Sequence, residues 1–283
     1  MLSAIIVAAG RSRRMGFDKL CAPLGQHTVL WHTLKGFADT PEVAEILLVV
    51  QEDRLTEFAD RLAADSVGRE IKLVGGGDER HLSVWNGLQS LAKTEFVAIH
   101  DGARPLVTPH LIRACLQLAE THGAACCASP IPDTVKRAST DQVVQESVDR
   151  NGLWAMQTPQ IFGRGLILEA YASVMAQHEM VTDEVSAVQR LGRKIALLKN
   201  EDWNFKITYP NDLVLAAHVL ELRRKKAPRA PRGLAKAVAV TSGRAPFAQP
   251  APKSRPKKKP SSQPTRPTKP SGKAPGRSAK KSV

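Results

Sequence analysis

Three observations predict a three-layer α/β fold built on a mostly parallel sheet. Short, almost entirely apolar runs, typical of parallel strands covered on both faces, recur along the sequence. They alternate with segments whose apolar residues have helical spacing, a rhythm that favours parallel pairing. The alternation extends over about 220 residues, which is enough chain for one well-buried domain.

The predicted elements follow one another regularly as far as residue 129. The first strand is residues 3–9 (SAIIVAA), where nearly every side chain is apolar. Further strands are predicted at residues 44–50, 72–74, 95–100 and 124–129. The helices between them are predicted at residues 29–38, 54–64, 80–92 and 108–121.

The rhythm breaks over residues 131–150. These residues are β-branched or polar, and few of them suit a core. The stretch is too long for an ordinary connection, so we expect an arm that leaves the sheet. Regular structure is predicted to return over residues 160–177 and 182–191, followed by a strand at 194–198 and a last helix at 211–222.

The charge of the chain is concentrated at its C-terminal end. The whole sequence has a net charge of +14, yet residues 1–222 carry a net charge of −5. Residues 223–283 contain 19 basic residues, 11 prolines and no acidic residue. Such a composition leaves little apolar surface to bury, so we expect a folded domain at 1–222 and a disordered basic tail at 223–283. The tail suits weak, non-specific, salt-dependent binding of polyanions such as RNA.

Composition also argues against several classes of protein. Four cysteines without framework spacing do not indicate a disulfide scaffold. No apolar run approaches the roughly 20 residues of a membrane span, and residues 2–9 lack the flanking features of a signal peptide. We therefore expect a cytoplasmic protein that does not associate with membranes.

The loop after the first predicted strand has the most informative sequence, residues 8–19 (AAGRSRRMGFDK). Ligands bind beyond the carboxyl ends of the strands in open parallel sheets, so this loop is well placed. It matches neither the dinucleotide-binding glycine pattern nor the P-loop pattern. Its small residues allow close backbone approach, and its three arginines with Lys19 supply cations, a combination that suits a triphosphate.

Further motifs follow in a fixed order. They are residues 76–80 (GGDER) with Ser83, 100–105 (HDGARP), 133–137 (DTVKR), 148–154 (VDRNGLW), 157–160 (QTPQ), 182–184 (TDE) and 204–208 (NFKIT). With the loop at 8–19, they resemble the 2-C-methyl-D-erythritol 4-phosphate cytidylyltransferase family over residues 2–222. The resemblance implies an α/β fold of Rossmann-like nucleotidyltransferase type with a protruding arm.

The resemblance also implies a reaction. The family transfers CMP from CTP to 2-C-methyl-D-erythritol 4-phosphate, releasing pyrophosphate, in the non-mevalonate pathway of isoprenoid synthesis. A cytidylyltransferase for another polyol phosphate, such as ribitol 5-phosphate, shares much of the pattern and remains an alternative. A polyanion-binding protein that acts through its tail is an alternative from another class.

Individual residues acquire expected roles from the resemblance. Arg14 and Lys19 would stabilise the transition state, and Arg150 and Lys206 would position the acceptor phosphate. The expected nucleotide-binding residues are Ala8, Ala9, Gly10, Gly76, Asp78, Ser83 and Asp101. The expected acceptor-binding residues are Arg104, Thr134, Lys136 and Thr182.

The expected cofactor is Mg²⁺, and the expected assembly is a homodimer. The ion would be held mainly by phosphate oxygens and water, with Asp101 as the candidate protein ligand. In the family the arm embraces a second subunit, which implies that residues 131–150 form the dimer contact. Thr134, and Arg150 as a second candidate, would then enter the partner's site.

Overall fold

A seven-stranded sheet organises residues 1–10 and 15–226, the part of the chain described by a computed structural model. Numbered along this part, the strands are β1 (Leu2–Val7), β2 (Pro23–Leu24), β3 (His27–Thr28), β4 (Val43–Val50), β5 (Lys72–Gly75), β6 (Phe96–Asp101), β7 (Ala124–Pro130), β8 (Val135–Ala138), β9 (Val144–Val148), β10 (Trp154–Gly163) and β11 (Ala196–Lys199). The order in the main sheet is β11-β7-β10-β6-β1-β4-β5. Only β10 runs antiparallel to its neighbours, so the predicted mostly parallel sheet is confirmed.

Helices cover both faces of this sheet. They are α1 (Val29–Ala38), α2 (Leu55–Ala64), α3 (Arg80–Gln89), α4 (Pro109–His122), α5 (Arg164–Ala176), α6 (Glu184–Arg190) and α7 (Pro210–Lys226), with a single 3-10 turn at Glu52–Arg54 before α2. Every strand and helix predicted up to residue 129 is present, with its ends within 3 residues of the predicted positions.

The core lies in two apolar layers, one on each side of the sheet. Alternation along β1 sends Ile6 into one layer and Ile5 into the other, and both side chains are fully buried. Phe37 of α1 lies in the layer of Ile6, and Tyr171 of α5 lies in the layer of Ile5. The three-layer arrangement predicted from the sequence is therefore confirmed.

The segment after β7 departs from the main sheet as expected. β8 and β9 form a separate antiparallel hairpin, and within the part of the chain that the structure describes they pair only with each other. Val143 and Val144 at its tip are 63% and 62% exposed. The strand that follows the hairpin, β10, was not predicted, because its antiparallel insertion interrupts the strand–helix rhythm on which the prediction depended.

The last helix extends past residue 223, where the tail was predicted to begin. Helix α7 continues to Lys226, so four residues assigned to the tail are helical. Arg223 donates to the carbonyl oxygen of Leu106 at 2.7 Å and to Oδ2 of Asp202 at 2.8 Å, which attaches this last turn to the domain. The predicted tail from residue 227 onward lies outside the described residues.

The four cysteines are unbonded, and Cys115, Cys126 and Cys127 are buried among apolar residues. Burial raises the pKa of the Cys126 thiol well above its ordinary value, so it remains protonated. Across residues 1–10 and 15–226, no helix combines the length and the apolar character that crossing a bilayer demands.

Candidate active site

A cavity of about 810 Å³ opens beyond the carboxyl ends of β1, β4, β5 and β6. Ala8 follows β1, Gln51 follows β4, Gly76 follows β5, and Asp101 ends β6; all four residues line the cavity. The chain proceeds from β1 through β4 to β5 on one side and places β6 on the other side. The cavity therefore lies at a topological switch point, the usual ligand site of an open α/β sheet.

Small residues shape the floor of the cavity. Ala8, Ala9 and Gly10 line it directly after β1. A Cβ atom on Gly76 would lie only 2.8 Å from Cβ of Ala9 and 2.9 Å from Oγ of Ser83. Because real Cβ atoms do not approach so closely, glycine at 76 is required for this close meeting of two loops.

The loop between β5 and α3 forms the adjoining wall. Oγ of Ser83 accepts a hydrogen bond from the backbone N–H of Gly77 at 3.2 Å and lies 3.1 Å from the carbonyl oxygen of Glu79, to which it donates. Ser83 therefore fixes the loop that leads into α3. Asp78 lines the cavity in this loop, next to the N-terminus of the helix, where the backbone dipoles favour negative charge.

Two lysines from opposite ends of the chain meet at the cavity. Nζ of Lys19 donates to the carbonyl oxygen of Ile207 at 2.9 Å. The neighbouring Lys206 places its Nζ 3.2 Å from Oδ2 of Asp101. Both lysines line the cavity, so the structure brings together two of the cations that the sequence assigned to phosphate groups.

Asp101 lies at the centre of a group of cations. In addition to Lys206, its carboxylate lies 3.1 Å from Nε of Arg104 and 3.5 Å from Nη2 of Arg80. Burial opposes ionisation of this carboxyl, but the charges of Lys206, Arg80 and Arg104 outweigh it and hold the pKa of Asp101 well below its ordinary value. Asp101 is therefore ionised at neutral pH and fixes the direction of the Lys206 side chain.

Arg80 was not among the site residues predicted from the sequence. Arg80 lines the cavity and forms a two-pronged pair with Glu184, including an Nη2–Oε2 contact of 3.1 Å. Glu184 is completely buried and also accepts a hydrogen bond from the Tyr171 hydroxyl at 3.1 Å. Burial opposes the charge on Arg80, yet Glu184 outweighs burial and raises the pKa of Arg80 above its ordinary value. The pairing joins residues 104 positions apart, and no local pattern predicts it.

One wall of the cavity is acidic. Glu52 and Asp53, in the 3-10 turn after β4, line the cavity, and they were not among the predicted site residues. Among the lining residues that the structure describes, the carboxylates outnumber the cations: Glu52, Asp53, Asp78, Glu79 and Asp101 against Lys19, Arg80 and Lys206. A triphosphate bound here therefore requires positive charge beyond these three side chains.

The predicted site residues are distributed unequally around the cavity. It is lined by Lys19, Lys206 and the whole expected nucleotide-binding set, which is Ala8, Ala9, Gly10, Gly76, Asp78, Ser83 and Asp101. Arg104 is 9% exposed and does not line the cavity. It donates from Nη1 to the carbonyl oxygen of Asn204 at 2.9 Å and from Nε to Asp101, so in this structure it holds Asp101 in place. Arg14 lies outside the described residues.

The other expected acceptor residues lie elsewhere in this chain. The cavity lining, taken over residues 1–10 and 15–226, includes none of Thr134, Lys136, Arg150 and Thr182. Arg150 donates to the carbonyl oxygen of Pro132 at the base of the hairpin, and Lys136 donates to Ser147 across it. Thr182 lies at the surface, 3.5 Å from the hydroxyl of Ser186.

Comparison with known proteins gives a consistent result. Residues 2–222 match the family model described as 2-C-methyl-D-erythritol 4-phosphate cytidylyltransferase. The enzyme of that name from Bacillus cereus is 37% identical over 227 residues, which is 80% of this chain and all of the relative. The one from Geobacillus kaustophilus is 38% identical over 222 residues, which is 78% of this chain and 97% of the relative.

Solved structures agree with this result. The crystal structure of 4-diphosphocytidyl-2C-methyl-D-erythritol synthase from Anaerococcus prevotii superimposes with a TM-score of 0.68 at 31% identity, covering 78% of this chain and 98% of that one. The cytidylyltransferase from Thermus thermophilus superimposes with a TM-score of 0.63 at 30% identity, covering 77% and 98%.

Proposed function

The chain belongs to the 2-C-methyl-D-erythritol 4-phosphate cytidylyltransferase family, and from this premise we propose how its cavity performs the reaction. The enzyme transfers CMP from CTP to 2-C-methyl-D-erythritol 4-phosphate and releases pyrophosphate, a step in the synthesis of isoprenoid precursors. The observation that carries the proposal is the meeting of Lys19 and Lys206 above a floor of small residues.

The nucleotide occupies the side of the cavity formed by β1, β4 and β5. Ala8, Ala9, Gly10 and Gly76 present backbone groups to the base and ribose, because their side chains are no larger than a methyl group. Ser83 fixes the loop at this surface by accepting a hydrogen bond from the N–H of Gly77. A pyrimidine is small, so a few well-placed polar backbone groups are sufficient to recognise it.

The acceptor phosphate attacks the α-phosphorus of CTP, forming a new P–O bond while the bond to pyrophosphate breaks. Substrates, transition state and products are all crowded with negative charge, so the protein acts mainly by positioning and neutralising. Lys19, with Arg14, stabilises the transition state at the α-phosphate. Lys206, held by Asp101, directs the acceptor phosphate toward it, together with Arg150.

The residues of the cavity fit a divalent cation held by the substrate. Within the described residues, no cluster of three or more acidic, histidine or cysteine side chains has the arrangement to hold a metal. Both oxygens of Asp101 already contact cationic side chains. Mg²⁺ would therefore be bound mainly by phosphate oxygens and water, with Asp101 as the nearest carboxylate, and would supply charge neutralisation to the triphosphate.

The β8–β9 hairpin is proposed to complete the site of a second subunit. Thr134, Lys136 and Arg150 lie on or beside a hairpin that is separate from the main sheet. An arm unsupported by its own domain does not hold side chains to the tolerance that catalysis needs. A homodimer in which each hairpin rests on its partner provides that support, and Thr134 and Arg150 then contact the partner's acceptor.

Two further properties belong to the same proposal. The enzyme acts in the cytoplasm, where its nucleotide substrate is made. The basic residues between 227 and 283 attract polyanions weakly and without sequence preference, since they bring charge without stacking aromatics apart from Phe247.

The decisive experiment compares acceptors with the purified full-length protein. Pyrophosphate release is measured with CTP, Mg²⁺ and either 2-C-methyl-D-erythritol 4-phosphate or ribitol 5-phosphate, and the product is identified by mass spectrometry. We expect turnover with the branched acceptor, at least a hundredfold preference in kcat/KM, and loss of activity with EDTA that excess Mg²⁺ restores. A preference for ribitol 5-phosphate would assign the acceptor site to the alternative reaction.

A further inference from the structure

Arg54 connects two segments that line the cavity. It ends the 3-10 turn whose residues Glu52 and Asp53 line the acidic wall. Its Nη2 donates to Oδ2 of Asp18 at 2.6 Å, and Asp18 directly precedes Lys19, which also lines the cavity. One ion pair therefore joins the turn after β4 to the segment that carries a catalytic lysine.

Asp18 in turn fixes the backbone around Lys19. Its second oxygen, Oδ1, accepts a hydrogen bond from the backbone N–H of Leu20 at 2.9 Å. The Asp18 carboxylate therefore binds the main chain just after Lys19 with one oxygen and binds Arg54 with the other. Aspartate commonly stabilises a tight turn in this way, through the N–H two residues along the chain.

Arg54 is itself rigidly held. Glu57 accepts from its Nε at 2.8 Å and from its Nη2 at 3.0 Å. Its guanidinium also lies 4.7 Å from the ring centroid of Phe58, a side chain that is 1% exposed. Contacts with helix α2 therefore hold the Arg54 guanidinium in place, and the guanidinium in turn holds the Asp18 carboxylate.

The electrostatics agree with this geometry. Burial opposes ionisation of Asp18, but its hydrogen bond to Arg54, with smaller contributions from Cys21 and the N–H of Leu20, holds its pKa below the ordinary value. The carboxylate is therefore charged at neutral pH, which strengthens the hydrogen bond that it accepts from Leu20.

We propose that Arg54 is a positioning residue for CMP transfer, acting through Asp18 to hold Lys19 in its place at the cavity. The proposal rests on the role given to Lys19 under Proposed function. Arg54 does not contact the substrate in this arrangement, so it acts on the rate through the geometry of another residue. A displacement of a catalytic group by about 1 Å can lower the rate about a hundredfold, so the effect is large enough to measure.

A double-mutant cycle tests the proposal with the full-length enzyme. Arg54→Met keeps the apolar stem against Phe58 and removes the fork, while Asp18→Asn removes the charge that the fork binds. Arg61→Met is the matched control, because Arg61 also donates to Glu57, at 2.9 Å, from the same helix. Arg54→Lys is the conservative variant, with the charge kept and the fork lost.

We expect Arg54→Met to lower kcat tenfold or more with a smaller change in the KM for CTP, and Arg61→Met to remain within twofold of the unmodified enzyme. Asp18→Asn should lower kcat similarly, and adding Arg54→Met to it should cost less than threefold more. The kcat of Arg54→Lys should lie between those of the unmodified enzyme and Arg54→Met. Equal losses in Arg54→Met and Arg61→Met, or penalties that multiply fully in the double variant, would overturn the proposal.

A second measurement does not depend on turnover. Amide hydrogen exchange of the peptide that contains Leu20 should accelerate in Arg54→Met and remain unchanged in Arg61→Met. Unchanged exchange at Leu20 would contradict the proposal even if activity fell. Faster exchange without loss of kcat would instead contradict the role of Lys19, so the failures of the two proposals are distinguishable.

A pH profile supplies the third measurement. The groups that face Asp18 are Arg54, Cys21 and the N–H of Leu20, with Glu57 and Arg61 beyond Arg54. Without Arg54, burial of Asp18 is no longer offset and its pKa rises, so the acid limb of kcat should move to higher pH. That movement should disappear when Asp18→Asn is added, and its persistence there would assign it to another group.

Discussion

Lys19 donates through Nζ to the carbonyl oxygen of Ile207 at 2.9 Å, across 188 residues of sequence. Because Lys206 is the adjacent residue, the positions of the two lysines proposed to act in catalysis depend on each other. Lys206 is also fixed by Asp101, at 3.2 Å. The cations of the site therefore form one connected arrangement, which is consistent with a reaction that depends on positioning.

Removing either transition-state cation should abolish most turnover. We expect Lys19→Ala and Arg14→Ala each to lower kcat and kcat/KM together by about a hundredfold or more, the size of losing a donor at a developing charge. Lys35→Ala is the control, since Lys35 pairs on the surface with Asp39. Circular dichroism verifies folding, and a folded variant at position 14 or 19 with near-normal turnover would contradict the assigned role.

Removing a cation proposed to bind the acceptor phosphate should change KM rather than kcat. Lys206→Ala and Arg150→Ala are expected to raise the KM for the polyol phosphate about tenfold or more and to change the KM for CTP much less. Steady-state rates are measured with one substrate varied at a time. Lys199→Ala, an exposed lysine paired with Glu201, is the control. A selective rise in the KM for CTP would reverse the assignment.

The hairpin prediction is tested by mixing inactive variants. Lys19→Ala protein is combined with Thr134→Ala/Arg150→Ala protein under conditions that exchange subunits. If the hairpin acts in the partner's site, each heterodimer regains one intact site and up to about a quarter of full activity returns. Sedimentation must show a dimer, and co-purification of differently tagged subunits must show the heterodimer. Absence of rescue in confirmed heterodimers, or a fully active monomer, would rule out the shared site.

Residues 227–283 should be dispensable for catalysis. Protein ending at Lys226 retains all of α7 and the hydrogen bonds of Arg223, so we expect kcat and KM within twofold of the full chain. RNA retention should occur only in the full chain and should fall steeply with salt. Loss of turnover in the truncated protein, or binding that persists at high salt, would give these residues a specific role.

Stability should decrease in mild acid because His100 is buried in its neutral form. Burial, with smaller effects of nearby charges, lowers the pKa of His100 from 6.5 to about 3. The unfolded chain therefore takes up a proton below pH 6.5 that the folded chain does not, and stability is lost as pH falls toward 3, by about 1.4 kcal/mol per pH unit. Burial also lowers the pKa of His32, with the same sign.

Urea denaturation between pH 7 and about pH 5.5 measures this loss, in a range where ordinary carboxyl groups remain mostly ionised. In His100→Gln the slope of unfolding free energy against pH should flatten by about one proton. A slope that does not change on this substitution would show that His100 is protonated in the folded enzyme.

Much of the domain could be predicted from local patterns. Apolar runs as uniform as residues 3–9 have few alternatives to a buried parallel strand, and the alternation with helices then limits the topology. β10 was missed because it enters the sheet antiparallel, directly after an arm that obeys no core pattern. Its position depends on pairing with β6 and β7, and no local sequence feature records that pairing.

The site shows the same division. Residues in loops directly after strands, such as Ala9 and Asp101, could be placed at the cavity because parallel strands end at one edge. Arg80 with Glu184, and Arg54 with Asp18, were not predicted, because each pair joins segments far apart in sequence. The helical continuation over residues 223–226 was likewise not predicted, since the basic composition of these residues gives no sign of the contacts of Arg223.

The segment around Lys206 has a consequence for the timing of synthesis. The N–H of Ile207 donates to the carbonyl oxygen of Ala103 at 2.8 Å, so the lysine reaches the cavity only when this late segment threads back beside β6. A nascent chain that has emerged as far as β11 already contains the residues of the nucleotide floor. It still lacks Lys206 and the carbonyl group that orients Lys19. On the roles proposed for Lys19 and Lys206, partial chains on the ribosome lack the arrangement that CMP transfer requires, and we expect activity only when the domain is almost completely made.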